Sequence, residues 1–376
     1  MHRGRRSTPD INTPTDNKES SASVAPNRST STPLSGFLIS VSSNNIIMHY
    51  GRKFRPYSVI IISIILAIVL FSCCTSRSVK GSPKAFNYRP IVGVLTQASP
   101  PIVREYGSTY IPATYVQFIA LAGARVVPVF VNQSYEYYVD LFNSINGVLW
   151  PGGGLDDILG SGYGRAGKIF YDLAMKSYQK EDYFPIWGTC QGFELMVSLA
   201  AGKDVLAPLK SYNKNLNVTF TKGYSHSKMM SGASKEVLDA LRTKAVTYNG
   251  HKFSLTPTNY TKSATLHAQY DVLATSVNEE GREFIALIEA KDYPFYGVQF
   301  HPEKPLFTWS TKTSIKHDPT TLMVSQYFSN FFVNEARKNG HAFADPKKEE
   351  DALIFNYKLV YLKGKQNLDQ AYFFDY

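Results

Sequence analysis

Cysteine is scarce in this chain of 376 residues: there are three, and two of them, Cys73 and Cys74, are adjacent near the N-terminal end. Only Cys190 lies beyond the leader described below, so the rest of the chain can form no internal disulfide. The sequence also lacks Cys, His, Asp and Glu at metal-ligand spacing, and it lacks a glycine-rich phosphate loop. We therefore expect no metal and no cofactor.

Acidic residues are few in the first 84 positions, which hold three of them against eleven Lys and Arg. This segment carries +8 of the formal net charge of +10. Because the basic excess lies in a tail and not on a folded surface, the high isoelectric point does not indicate a nucleic-acid partner.

Large apolar residues are rare in residues 1–47, whose Ser, Thr, Pro and Asn predict a disordered leader. In residues 48–84, basic residues precede the apolar run Val59–Phe71 and small residues follow it, as in a signal peptide. The run is shorter than the roughly 20 residues of a transmembrane helix, which favours cleavage of a leader that starts at Met48. A signal anchor in a chain translated from Met1 is the alternative, and an uncleaved leader is the only membrane contact we expect.

Glycosylation sequons also bear on the destination of the protein. One lies in the leader, at Asn27, and three follow it, at Asn132, Asn217 and Asn259. Behind a secretory leader, they favour a glycoprotein of the lysosome, the vacuole or the extracellular space.

Residues 85–376 alternate short apolar runs with helical patterns, which predicts one α/β domain with a doubly wound, flavodoxin-like, mostly parallel sheet and flanking helices. The predicted strands are Ile91 to Leu95, Arg125 to Val131, Gly147 to Trp150, Tyr183 to Trp187, Leu216 to Phe220, Tyr270 to Ser276, Glu283 to Ala290 and Tyr296 to Phe300. The predicted helices are Ala113 to Ala122, Tyr135 to Asn143, Gly164 to Tyr178, Gln191 to Ala201 and Thr320 to Asn339.

Cys190 stands between two glycines in the sequence GTCQG, directly after a predicted strand and before a predicted helix. This pattern is typical of a nucleophile elbow, in which a strained turn residue needs small neighbours because backbone passes close by. The positive end of the following helix favours a thiolate. Most free cysteines are merely small buried apolar residues, so this pentapeptide alone leaves both interpretations open.

A second group follows the last predicted strand, in the sequence His301-Pro302-Glu303. A histidine at the carboxyl edge of a sheet lies where α/β proteins build their sites. Glu303 can accept a hydrogen bond from one ring nitrogen and leave the other free to exchange protons with Cys190. The three residues together have the chemistry of a catalytic triad.

The glycine run after the strand at Trp150 supplies hydrogen-bond donors for an oxyanion, which acyl transfer also needs. Pro151-Gly152-Gly153-Gly154 exposes backbone N–H groups, and that of Gly153 or Gly154 could pair with that of Gln191 to bind an oxyanion. A tight loop built from glycine is the alternative interpretation.

The order PGGG, GTCQG, HPE resembles the class I glutamine amidotransferase-like superfamily, and within it the γ-glutamyl hydrolase family (peptidase family C26). The resemblance extends from Arg89 to Tyr376, through RPIVGVLTQ, YIPATYVQFIALAGARVVPV, FNSINGVLWPGGG, DYFPIWGTCQGFELM, YPFYGVQFHPEK and FFVNEARKNG. It implies the amidotransferase-like fold, with Cys190, His301 and Glu303 as nucleophile, catalytic histidine and acid.

The resemblance also implies a substrate and its contacts. The substrates would be poly-γ-glutamyl folates, cleaved through a thioester, and a homodimer is left open. By alignment of the quoted segments, a substrate-binding tyrosine and a second histidine fall at Tyr115 and His226. Because each glutamate of the substrate carries an α-carboxylate, Lys304 is a further candidate contact.

Three other functions remain open from the sequence. A glutaminase subunit that feeds ammonia to a synthase would use the same triad, and a hydrolase of other small γ-glutamyl compounds would differ only in its pocket. A non-catalytic binding protein of the same fold is expected to have lost a triad residue, and here all three are present.

Overall fold

The computed structural model describes residues 86–376, except for Gly364, Gln366 and Asn367. The predicted leader segments, 1–47 and 48–84, lie outside the described residues. In the part that is described, no helix combines the length and apolarity needed to cross a membrane.

The strands and helices of the described residues are as follows. The strands are β1 (Ile91–Leu95), β2 (Gln97–Ala98), β3 (Thr109–Pro112), β4 (Arg125–Val129), β5 (Val148–Trp150), β6 (Ile186–Thr189), β7 (Ala207–Leu216), β8 (Thr219–Phe220), β9 (Thr247–Ser254), β10 (Tyr270–Val277), β11 (Glu283–Ala290), β12 (Phe295–Val298), β13 (Leu359–Tyr361) and β14 (Gln370–Phe374). The α-helices are α1 (Ala113–Leu121), α2 (Tyr135–Phe142), α3 (Gly162–Tyr178), α4 (Gln191–Ala201), α5 (Lys228–Ser231), α6 (Lys235–Thr243), α7 (Pro257–Lys262), α8 (Ala264–Gln269), α9 (Lys304–Phe307), α10 (Pro319–Ala336) and α11 (Pro346–Ala352).

The central sheet has the strand order β4-β1-β5-β6-β12-β11-β10-β8. Its first five strands are parallel, and the last three are added antiparallel. The carboxyl ends of β1, β5, β6 and β12 therefore meet at one edge of the sheet, where open α/β sheets bind their ligands.

Helices cover both faces of this sheet, as predicted for a doubly wound fold. Side chains alternate along β1: Val92 and Val94 belong to the core under α1 and α10, whereas Ile91 and Leu95 belong to the core under α2, α3 and α4. Because both faces are buried, the parallel strands are mainly apolar and have no polar side, with Arg125 at the start of β4 and Thr189 at the end of β6 as exceptions.

Several predicted boundaries differ from the structure. The strand predicted at Tyr183 begins only at Ile186, because Pro185 has no N–H to donate to the ladder. The strand predicted over Leu216 to Phe220 is instead the end of β7 and the short β8, separated by Asn217 and Val218. The strand predicted to reach Phe300 ends at Val298.

Two smaller sheets were not predicted. β2, β3, β13 and β14 form an antiparallel sheet, and β7 pairs with β9 in a two-stranded ribbon that places Ser211 opposite His251. Both sheets join segments that are far apart in the sequence, and their polar residues give no clear alternation. The ribbon matters because β9 borders the site described next.

Candidate active site

Cys190 lies in a strained turn between β6 and α4. Its backbone angles, φ 51° and ψ −106°, lie outside the common regions for a non-glycine residue. The turn is held by a hydrogen bond from Cys190 N to Val298 O at 2.8 Å. A Cβ on Gly192 would lie 2.0 Å from Trp150 O, and one on Gly188 would lie 2.6 Å from the Gly192 backbone. The two glycines are therefore required by close backbone contact, as the elbow interpretation predicted.

The thiol of Cys190 is buried, and burial raises its pKa well above the usual value. The carboxyl groups of Glu194 and Glu303 raise the pKa further, while Lys304 and the backbone N–H of Gln191 oppose them. Burial thus favours the neutral thiol, against the thiolate expected from the helix end, and ionisation of Cys190 needs a nearby proton acceptor.

His301 and Glu303 form a buried pair, in which imidazole Nδ1 lies 2.8 Å from Glu303 Oε1. Burial lowers the pKa of His301, although Glu303 opposes the shift. A proton on Nδ1 satisfies Glu303 and leaves Nε2 as an acceptor. The His301 backbone is anchored by its N–H to Tyr248 O, at 2.8 Å.

Gly152 is the point around which the site converges. A Cβ placed on it would lie 2.7 Å from His301 Cε1, 2.8 Å from Tyr115 Oη and 3.1 Å from Cys190 Cβ. The structure thus brings together Tyr115, Cys190 and the His301–Glu303 pair. Tyr115 Oη also accepts a hydrogen bond from Gly152 N at 2.8 Å and lies 3.4 Å from His301 Nδ1.

The glycine loop is fixed at both ends. Gly152 N–H is used by Tyr115, and Leu155 N–H donates to Gln191 Oε1 at 3.2 Å. Within the described ranges, the N–H groups of Gly153 and Gly154 have no partner. These are the two N–H groups that the sequence assigned to an oxyanion.

A cavity of about 600 Å³ opens onto these groups. Its lining includes Lys304, whose ammonium lies 5.8 Å from the centre of the Tyr248 ring. It also includes Glu194, whose pKa is raised by burial to about 7 and whose Oε1 accepts a hydrogen bond from Gln299 at 3.0 Å. A cavity of this size suits a drug-sized ligand.

The structure does not bring His226 to this cavity. Its exposed side chain lies on a short 3₁₀ helix, Tyr224–His226, which follows β8 at the far edge of the sheet, three strands from β12. This corrects the expectation from the resemblance, which had placed His226 beside the substrate.

The second histidine at the cavity is His251, which sequence reasoning missed. It lies on β9, and its Nδ1 is 2.9 Å from Ser254 Oγ. Its Nε2 is buried and has no hydrogen-bond partner in the described part of the chain, and burial lowers its pKa to about 4. The sequence Thr247-Tyr248-Asn249-Gly250-His251 gives no clear local signal, and it is the pairing of β9 with β7 that brings His251 to the cavity.

The three sequons of the described region differ in accessibility. Asn132 and Asn217 are exposed, whereas Asn259 is half-buried. The Nδ2 of Asn217 donates to Arg242 O at 2.9 Å, and that of Asn259 donates to Val205 O at 2.8 Å. Occupancy of the sequons stays a prediction, for which Asn132 and Asn217 have the more accessible side chains.

Known proteins match this chain over most of its length. The sequence profile of the Peptidase C26 family matches residues 90–303. A γ-glutamyl hydrolase from Homo sapiens is 40% identical over 289 residues, which cover 76% of this chain and 90% of that protein. γ-Glutamyl hydrolase B from Dictyostelium discoideum is 38% identical over 77% of this chain and 84% of its own length, and γ-glutamyl hydrolase 1 from Arabidopsis thaliana is 30% identical over 77% and 83%. The chain therefore belongs to the peptidase C26 family and is an enzyme of the γ-glutamyl hydrolase type.

Proposed function

We propose that this protein hydrolyses the γ-glutamyl bonds of poly-γ-glutamyl folates, with Cys190 as nucleophile, His301 as acid and base, and Glu303 as the group that orients His301. The observation that carries the proposal is the convergence of the strained Cys190 and the His301–Glu303 pair around Gly152.

Acylation begins with the thiol proton. Because the pKa of Cys190 is raised and that of His301 is lowered, the resting pair is neutral, and the proton moves to His301 Nε2 as sulfur attacks the γ-carbonyl carbon. When the tetrahedral intermediate collapses, the C–N bond breaks and Nε2 returns the proton to the departing α-amine. The acyl group remains on sulfur as a thioester.

Deacylation uses the same groups with water. His301 Nε2 accepts a proton from water as the oxygen attacks the thioester carbon, and the C–S bond then breaks. The sulfur regains its proton, and the product leaves as a γ-carboxylic acid. Glu303 keeps the proton on Nδ1 in both steps, so that Nε2 is the nitrogen that accepts and returns the proton.

The negative charge of each tetrahedral intermediate needs donors. The N–H groups of Gly153 and Gly154 have no partner among the residues that the structure describes, and that of Gln191 lies at the start of α4 beside Cys190. One such donor is worth about 2.7–4 kcal/mol to the transition state.

The cavity offers cationic side chains to the proposed substrate, although its lining also holds the carboxyl groups of Asp156, Glu194, Asp204 and Glu303. Its lining includes Lys304, Arg104 and Lys252, and none of the three forms an ion pair among the described residues. A poly-γ-glutamate chain carries one α-carboxylate per residue, which such cations would bind. Tyr115 and His251 line the same cavity and would contact the residue whose bond is cleaved.

The test is linkage selectivity. We expect the purified chain to cleave folyl penta-γ-glutamate and to leave the α-linked isomer of equal length almost untouched, with products resolved by chromatography and mass spectrometry. If the pocket binds the α-carboxylate of a γ-linked glutamate, the α-linked isomer leaves buried polar groups of the pocket without partners. Such a mismatch can lower kcat/KM by about 10⁴-fold. The Cys190→Ala variant is the control for contaminating peptidases. Equal cleavage of both isomers would contradict the proposed substrate.

The protein would act in the secretory pathway, in a lysosome, a vacuole or the extracellular space. Two features support this location. Basic, apolar and small residues follow one another in 48–84 as in a signal peptide, and the sequons at Asn132 and Asn217 are exposed.

A further inference from the structure

Gln97 is a buried polar residue to which the mechanism above gives no role. It follows β1 at the carboxyl edge of the sheet and is 2% exposed. It lines the cavity, and its side chain points at the glycine loop after β5. A buried amide must find partners, so its contacts indicate what it does.

The amide group of Gln97 holds two successive carbonyls of that loop. Its Nε2 donates to Pro151 O at 3.2 Å and to Gly152 O at 3.1 Å. Pro151 O has a second donor, the hydroxyl of Tyr163 at 2.7 Å. Across the described residues Gly152 O has no other donor, so Gln97 alone holds the peptide that joins Gly152 to Gly153.

The direction of this carbonyl determines the direction of an N–H. In a trans peptide the C=O and the following N–H point to opposite sides. Because Gln97 binds the Gly152 carbonyl, the Gly153 N–H points away from Gln97, and it has no protein partner among the described residues. If this peptide rotated, the N–H would turn towards Gln97 and be lost to an oxyanion.

The loop needs such a restraint because of its composition. Three successive glycines give the backbone wide conformational freedom. A side chain at position 153 would remove that freedom, but a Cβ there would lie 2.5 Å from Gln97 Nε2 and 2.5 Å from Gln191 Oε1. The two glutamine side chains therefore occupy the space that a larger residue would take at position 153.

We propose that Gln97 is a positioning residue that keeps the Gly153 N–H directed at the oxyanion of the tetrahedral intermediate. This inference rests on the proposed function, in which Gly153 is an oxyanion donor. Gln97 acts through the loop and does not touch the reacting atoms.

The test compares Gln97→Leu with Gln97→Glu. Leucine removes both hydrogen bonds at similar size, and we expect kcat for folyl penta-γ-glutamate to fall about 10- to 100-fold with little change in KM, because the donor acts in the transition state. A carboxylate donates no hydrogen bond but a protonated carboxyl donates one, so Gln97→Glu should recover relative to wild type as pH falls. Gln97→Leu should show no such recovery.

A second measurement separates positioning from damage to the nucleophile. Alkylation of Cys190 by iodoacetamide displaces iodide and builds no oxyanion, so its rate should stay within about twofold of wild type in both variants. Thermal unfolding reports the fold, and Gln117→Leu, which removes a glutamine bonded to Gln370 away from the loop, is the matched control.

Each outcome is decisive. A wild-type protein that does not cleave the substrate would overturn the proposed function, not the contacts of Gln97. An active wild type with a Gln97→Leu variant above half of its kcat/KM would overturn the positioning role. The positioning role would also be overturned if the rate of Cys190 alkylation fell in Gln97→Leu as much as the rate of hydrolysis. If Gln97→Leu fails to fold, the pH dependence of Gln97→Glu decides, and the absence of recovery at low pH contradicts the proposal.

Discussion

His301 Nδ1 lies 2.8 Å from Glu303 Oε1, although the two residues are separated by a single proline in the chain. The pair is buried, and Glu303 Oε2 has no hydrogen-bond partner among the described residues. The carboxylate thus directs its one strong interaction at the imidazole, which fixes the ring and its tautomer.

Removal of the His301 imidazole should therefore lower activity more than removal of the Glu303 charge that orients it. We expect His301→Asn to lower kcat by at least about 10³-fold, because both proton transfers are lost, and Glu303→Gln to cause a smaller loss through a freer ring. Steady-state kinetics on a folyl poly-γ-glutamate checks this. Equal and small effects would assign the proton transfer to another group, with His251 as the first alternative.

Replacement of the nucleophile is the most direct test of the site. Cys190→Ala removes little volume from a buried position, so we expect the melting temperature to be nearly unchanged while turnover is lost. In protein that begins after Cys74, iodoacetamide should label wild type once, at Cys190, and should leave the same form of the variant unlabelled, as judged by mass spectrometry of peptides. More than a few per cent of residual activity would remove Cys190 from the mechanism.

Glu194 should make stability depend on pH. Burial raises its pKa from 4.5 to about 7, so the folded state keeps a proton that the unfolded chain releases. Its stabilising contribution is present below pH 4.5 and is lost as pH rises to 7, by as much as about 3 kcal/mol. Denaturant unfolding across this range should show wild type losing stability relative to Glu194→Gln.

The matched control for that experiment is Glu283→Gln, which changes an exposed carboxyl at the start of β11. Its free energy of unfolding should follow that of wild type at every pH. Parallel curves for Glu194→Gln and wild type would show that Glu194 ionises normally in the folded protein.

The leader makes a prediction about the natural protein. If Val59–Phe71 is the core of a signal peptide, N-terminal sequencing should place the mature start between Cys73 and Lys84, and the protein should be extracted without detergent. Treatment with an N-glycosidase should reduce its mass. An intact N-terminus in the membrane fraction would instead establish a signal anchor.

Local sequence was sufficient to predict those parts of the site that one turn and its flanking strand and helix form. The glycines around Cys190 predict the elbow because neighbouring backbone lies within van der Waals contact there. The apolar runs before Cys190 and before Pro151 predict strands that are buried on both faces. Strand ends were less well predicted. β12 ends at Val298, and three residues later the His301 N–H bonds to Tyr248 O on β9, a partner that no local pattern reveals.

Which histidine lies at the cavity was decided by tertiary structure alone. In the sequence, His226 and His251 are both single histidines in polar, irregular stretches. Pairing of β9 with β7 carries His251 to the cavity, whereas pairing of β8 with β10 carries the segment of His226 to the far edge of the sheet. Both pairings join residues more than thirty positions apart, and their free energy comes from packing and cross-strand hydrogen bonds that exist only once the chain has folded.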